Sequence, residues 1–137
     1  MRILQTTLAA LVVATLAGCQ AAAERSGDDS TGAVPAGTPV EGRAITAMLG
    51  GNTIEEVTGR WQAYYAPDGR KVMKIGADVR EVAWWVDGDG NFCEHRWAGE
   101  TICGGTMYRD GDVVTATGRG RSGEVRFRVM PGNAAAL

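Results

Sequence analysis

Two cysteines, Cys93 and Cys103, constrain this chain more than any other pair of its residues. Positions symmetric about a turn face each other directly across an antiparallel hairpin, and the centre of this pair falls on Ala98. Trp97-Ala98-Gly99 is then the loop. A three-residue hairpin loop favours a type I turn followed by a left-handed residue, and Gly99 stands where that residue is needed. The same register sets Arg96 against Glu100, an attractive cross-strand pair, and His95 against Thr101. A disulfide closing a loop this short contributes roughly 2 to 3 kcal/mol, a sizeable share of a small domain's stability.

The residues around this hairpin predict more strands. After Gly59, apolar and aromatic runs are separated by Gly-containing turns: Arg60 to Ala66, Lys71 to Ile75, Val79 to Val86, Asn91 to Arg96, Thr101 to Arg109, Asp112 to Thr117 and Glu124 to Met130. In the last of these Val125, Phe127 and Val129 alternate with Glu124, Arg126 and Arg128, giving one dry face and one wet face. Before the strands, Ala44, Ile45, Met48 and Leu49 recur at helical spacing until Gly50-Gly51 stops the run. Thr53 with Glu56 matches a capping box, so a helical turn is expected to resume over Ile54 to Val57. The expected fold is mainly β (α+β). One short N-terminal helix packs on an antiparallel meander or small barrel of about seven strands.

The N-terminus bears on location. An apolar run from Ile3 to Leu16 follows Arg2, and has the length of a signal-peptide core, short for a bilayer span. It ends in Leu16-Ala17-Gly18-Cys19, which resembles the lipobox of bacterial lipoproteins; the resemblance implies cleavage before Cys19 and lipidation of that residue. The expected organisation is a lipoprotein signal peptide over 1–18, a lipidated flexible tether over 19–42, a helix-capped β domain over 43–131 and a C-terminal tail over 132–137. The tether reading rests on a run of Ala, Glu, Ser, Gly, Asp, Thr and Pro that holds no aromatic residue. Gln20 is not the Asp that retains lipoproteins at the inner membrane, so the expected location is the periplasmic side of the outer membrane. Export to an oxidising compartment leaves Cys93 and Cys103 as a pair, and a structural disulfide is expected.

Candidate sites are few. Trp61, Tyr64, Tyr65, Trp84, Trp85, Trp97 and Tyr108 form an aromatic-rich set, and in each adjacent pair one ring must point to each face of its strand. This set is the candidate binding surface; the competing reading is a second hydrophobic layer beneath the helix. Asp87, Asp89 and Asn91 match the opening of a calcium loop, but Phe92 and Ala98 stand where the EF-hand needs Gly and Glu. A metal site of Cys93, His95 and Cys103 is set aside on the expectation that His95 faces away from Cys93. The loop from Gly118 to Gly123 carries two arginines and could hold an anion, though a mobile hairpin loop is the simpler reading. His95 is the only histidine, no Gly-x-Ser-x-Gly elbow is present, and no cysteine outside the expected bridge is left as a nucleophile. No enzyme, cofactor or metal is therefore expected. The formal net charge is −2 with no basic stripe, which argues against nucleic acid as a partner.

The order Gly51-Asn52-Thr53, Tyr64-Tyr65-Ala66-Pro67-Asp68-Gly69, Trp84 or Trp85, Asp87-Gly88-Asp89-Gly90-Asn91-Phe92-Cys93, Cys103 and Tyr108-Arg109-Asp110-Gly111-Asp112 resembles a family of small exported bacterial proteins, the domain of unknown function numbered 995. The resemblance implies a compact, β-rich secreted domain with a disulfide hairpin and no assigned chemistry. Ile45, Leu49, Gly50, Thr53, Glu56, Val57 and Gly59 are also similar to the helical entry of small lipoproteins that assist outer-membrane protein assembly. The expected function is a non-catalytic, lipid-anchored cell-envelope protein that acts as a binding or envelope-maintenance module. Its partners are the membrane, through the N-terminal lipid, and an envelope protein, a glycan or a small apolar ligand. The alternatives are a periplasmic enzyme inhibitor that inserts one rigid loop, such as Gly118 to Gly123, and an accessory factor in outer-membrane protein assembly.

Overall fold

A computed structural model describes residues 35–118 and 123–137 of the chain. The expected signal peptide, Cys19 and most of the expected tether lie outside the described residues, as does the interior of the Gly118 to Gly123 loop. Ten strands and one helix follow one another: β1 (Thr38–Val40), α1 (Arg43–Leu49), β2 (Asn52–Glu56), β3 (Trp61–Tyr65), β4 (Arg70–Ile75), β5 (Asp78–Val86), β6 (Phe92–His95), β7 (Thr101–Cys103), β8 (Thr106–Asp110), β9 (Val113–Thr117) and β10 (Glu124–Pro131). All pair antiparallel in the order β1-β8-β9-β10-β2-β3-β4-β5-β6-β7, a sheet curled into a half-barrel whose edge strands are β1 and β7. Two meanders, β2 to β7 and β8 to β10, are joined by the pairing of β10 with β2.

Three differences account for ten strands where seven were expected. Thr101 to Arg109 is not continuous, because Gly104 and Gly105 both adopt positive φ and carry the chain from β7 to the other end of the sheet. Thr38 to Val40, expected in the tether, instead adds an edge strand to β8. Thr53 to Glu56 is strand, not helix, and lies between β10 and β3. The Thr53 hydroxyl, expected to cap a helix, donates to the Gly132 carbonyl at 2.8 Å and accepts from the Ala134 amide at 3.0 Å. A four-residue capping match is worth little against two rows of interstrand hydrogen bonds. The predicted tail is thereby tied back onto β2, and the strand before it extends through Pro131.

The helix runs over the expected residues, although Ala44 is exposed. Seven residues are too few to hold a helix in water, so packing must stabilise it. Ile45, Met48 and Leu49 supply that packing by closing one end of the half-barrel against Tyr65, Trp84 and Phe92. The Trp84 indole N–H donates to the Ala66 carbonyl at 3.0 Å, which satisfies its polar edge inside the core. At the same end the Gly42 amide donates to the Gly90 carbonyl at 3.2 Å. A Cβ on Gly90 would lie 3.2 Å from the Gly42 Cα, and Gly90 has φ +85°, so both sterics and conformation favour glycine there.

The cysteine hairpin forms in the predicted register: Cys93 faces Cys103, and His95 faces Thr101. The two sulfurs are bonded. Arg96 and Glu100 close the loop with an amide-to-carbonyl bond of 2.7 Å, and Gly99 has φ +89°.

Candidate functional site

Alternation along each strand decides what faces the inside of the half-barrel. Ile54, Tyr65, Met73, Met107, Ala116 and Phe127 point inward and, with Leu49 at the helical end, line a cavity of about 460 Å³. This volume lies within the range of small-molecule sites, and so does its mainly apolar and aromatic wall. Trp61, Ile75 and Val125 line the wall toward the open end, while Arg96, Trp97, Ala98 and Glu100 reach over it from the disulfide hairpin. Arg80 holds that hairpin in place. Its guanidinium donates to the Trp97 carbonyl at 2.9 Å and lies 4.5 Å from the centre of the Trp97 ring.

A buried ion pair interrupts the apolar wall. Lys71 on β4 shares the inward phase of Met73 and Ile75, and Glu94 on β6 shares that of Phe92. The Lys71 Nζ lies 2.6 Å from the Glu94 Oε2, with side-chain exposures of 3% and 12%. The Tyr65 hydroxyl donates to the same oxygen at 3.5 Å, and the ammonium lies 5.2 Å from the Tyr65 ring centre. Along β4 exposure rises from buried Lys71 through half-buried Met73 to exposed Ile75, so the pair sits on the inner side of the cavity.

No family model, curated protein or solved structure matches this chain.

The seven aromatic residues of the sequence reading do not form one surface. Tyr65 and Trp84 are core, with ring centres 5.3 Å apart in an edge-to-face contact. Trp61 and Trp97 line the cavity. Trp85 is on the outer face, 5.5 Å from the His95 ring. Tyr64 and Tyr108 are half-buried and alternate with the inward Ala63, Tyr65 and Met107, which places them on the outer face as well. Each adjacent pair therefore splits between faces as expected. Lys71 and Glu94 were missed as site residues, though the signal was available: each is in phase with apolar neighbours two positions away on its strand.

The expectation that His95 faces away from Cys93 is corrected. Two residues apart on β6, they share the outer face, beside Trp85. The metal reading is answered by other observations. The Cys93 and Cys103 sulfurs are bonded to each other, and the His95 Nδ1 lies 3.1 Å from the Thr101 hydroxyl. Asp87 and the two sulfurs lie within 4.8 Å of one another, but a disulfide offers no thiolate to a metal.

The Asp87 carboxylate caps its own turn. It accepts from the Asn91 amide at 2.8 Å, the Asp89 amide at 3.0 Å and the Asn91 side chain at 3.1 Å. The Asn91 amide, then its side chain, holds the carboxyl below the ordinary aspartate range. At the β2–β3 turn, hydrogen bonds from the Arg60 and Thr58 side chains push the Glu56 carboxyl down to about 2. Both carboxylates organise hairpins, and neither lines the cavity.

Proposed function

We propose that this chain is a non-catalytic, lipid-anchored cell-envelope module whose half-barrel holds a small apolar ligand. One observation carries the reading: a cavity of about 460 Å³ with a mainly apolar wall, one buried ion pair and two tryptophans, Trp61 and Trp97, in its lining. A concave site of this kind suits ligand capture, where an inhibitor that inserts into another protein's cleft needs a projecting surface. The Leu16-Ala17-Gly18-Cys19 sequence supports the anchor, and Gln20 supports the outer membrane as its location.

The test is a fluorescence titration of the protein with an environment-sensitive apolar dye. Saturable one-to-one binding is expected, with a change in tryptophan emission, and it should be lost in Met73→Trp, which fills the cavity. Dye binding that does not saturate, or that Met73→Trp leaves unchanged, would exclude the cavity as the site.

A further inference from the structure

The half-barrel makes a choice of ligand head group. Lys71 and Glu94 meet at 2.6 Å within a mainly apolar wall. Together they carry no net charge. An ionised head placed beside them adds an uncompensated charge to a region that solvates charge poorly, whichever its sign. An uncharged head with both a donor and an acceptor, such as a hydroxyl, joins the existing network instead. A hydroxyl both gives and takes a hydrogen bond, which suits a wall that presents an ammonium and a carboxylate side by side.

We infer that the ligand is an uncharged single-chain amphiphile whose hydroxyl or amide head seats on the Lys71–Glu94 pair. Its apolar body lies along Met73 toward the open end of the cavity. This inference rests on the ligand-binding reading above. The orientation follows from β4, where burial is greatest at Lys71 and Ile75 is already 39% exposed. The charges at the rim do not reverse the preference. Half-buried Arg96 stands 3.9 Å from Glu100, which is 64% exposed, so these two charges offset each other, and exposed Arg80 is already engaged with Trp97. Water and salt screen exposed groups of this kind.

The experiment compares decanol, decanoate and decylammonium, one chain with three heads, by tryptophan emission of the full chain at neutral pH below their aggregation limits. Decanol is expected to bind at least about tenfold more tightly than either ion, a factor worth about 1.4 kcal/mol. Glu94→Gln leaves the Lys71 charge and should move the preference to decanoate. Lys71→Met leaves the Glu94 charge and should move it to decylammonium. Equal binding of all three by the unaltered protein overturns the inference and leaves the cavity as a ligand site. Binding of none removes both readings. The ranking on the unaltered protein is decisive whether or not either variant folds.

Discussion

Removing one member of the Lys71–Glu94 pair should be far more damaging than removing both. With side-chain exposures of 3% and 12%, neither group has enough water to stand alone as an ion. Removing one partner of a buried ion pair typically costs about 3 to 5 kcal/mol. Glu94→Leu takes the carboxylate from the more deeply buried lysine and should cost about 4 kcal/mol; Lys71→Met takes the ammonium from the carboxylate and should cost about 3 kcal/mol. The double variant strands nothing and replaces the pair with apolar groups of similar size, so it should lie within about 1 kcal/mol of the unaltered protein. Urea unfolding followed by tryptophan emission gives all four stabilities and a coupling energy of about 5 kcal/mol or more. If the double variant instead loses the sum of the two single losses, the pair is not isolated from water and the description of the cavity fails. If the cycle closes as expected, the pair adds little net stability.

Three further outcomes follow from the same structure. Reducing the Cys93–Cys103 bond should destabilise the protein by about 2.7 kcal/mol, from the loop-closure entropy of a separation of 10 residues. Paired unfolding curves with and without reductant check this, and a difference below about 1 kcal/mol would contradict it. Glu56 has a carboxyl lowered from 4.5 to about 2, so the stability it contributes is complete above pH 4.5 and is lost as pH falls through 2. Glu56→Gln should therefore lower stability at neutral pH by about 1 to 2 kcal/mol and flatten its decline between those limits, as measured by unfolding at a series of pH values. Thr53→Val removes the hydroxyl that bonds Gly132 and Ala134, and should cost about 1 to 2 kcal/mol while speeding amide exchange at Ala134. Unchanged exchange would show that the tail is held elsewhere.

How much of this was legible in the sequence depends on the range of the interaction. The Cys93–Cys103 register could be read because the loop, its left-handed glycine and the flanking charge pair all lie within one short hairpin. The strands from Trp61 to Val86 could be read because apolar runs end at glycine turns. Thr53 misled because a capping box is a local signal, whereas β2 is held by β10, a strand more than seventy residues later in the chain. Thr38 to Val40 looked like tether because the segment around it holds no aromatic residue and no apolar periodicity, and only the edge of β8 gives it a partner. The cavity was the least legible feature. A lysine and a glutamate on different strands resemble ordinary surface charge until curvature brings β4 and β6 to the same interior. Their phase with Met73 and Phe92 was the available clue, and it needed the fold to give it meaning.

The central claim is that the inside of the half-barrel receives a small apolar molecule. Its most direct test is a methyl NMR titration of the full chain with decanol, reading Ile54, Met73 and Met107 inside the cavity against Val79, which is 55% exposed. Saturable shifts at the three interior methyls with Val79 unmoved are the predicted result. Interior methyls that stay still, or shifts at Val79 as large as theirs, would contradict it.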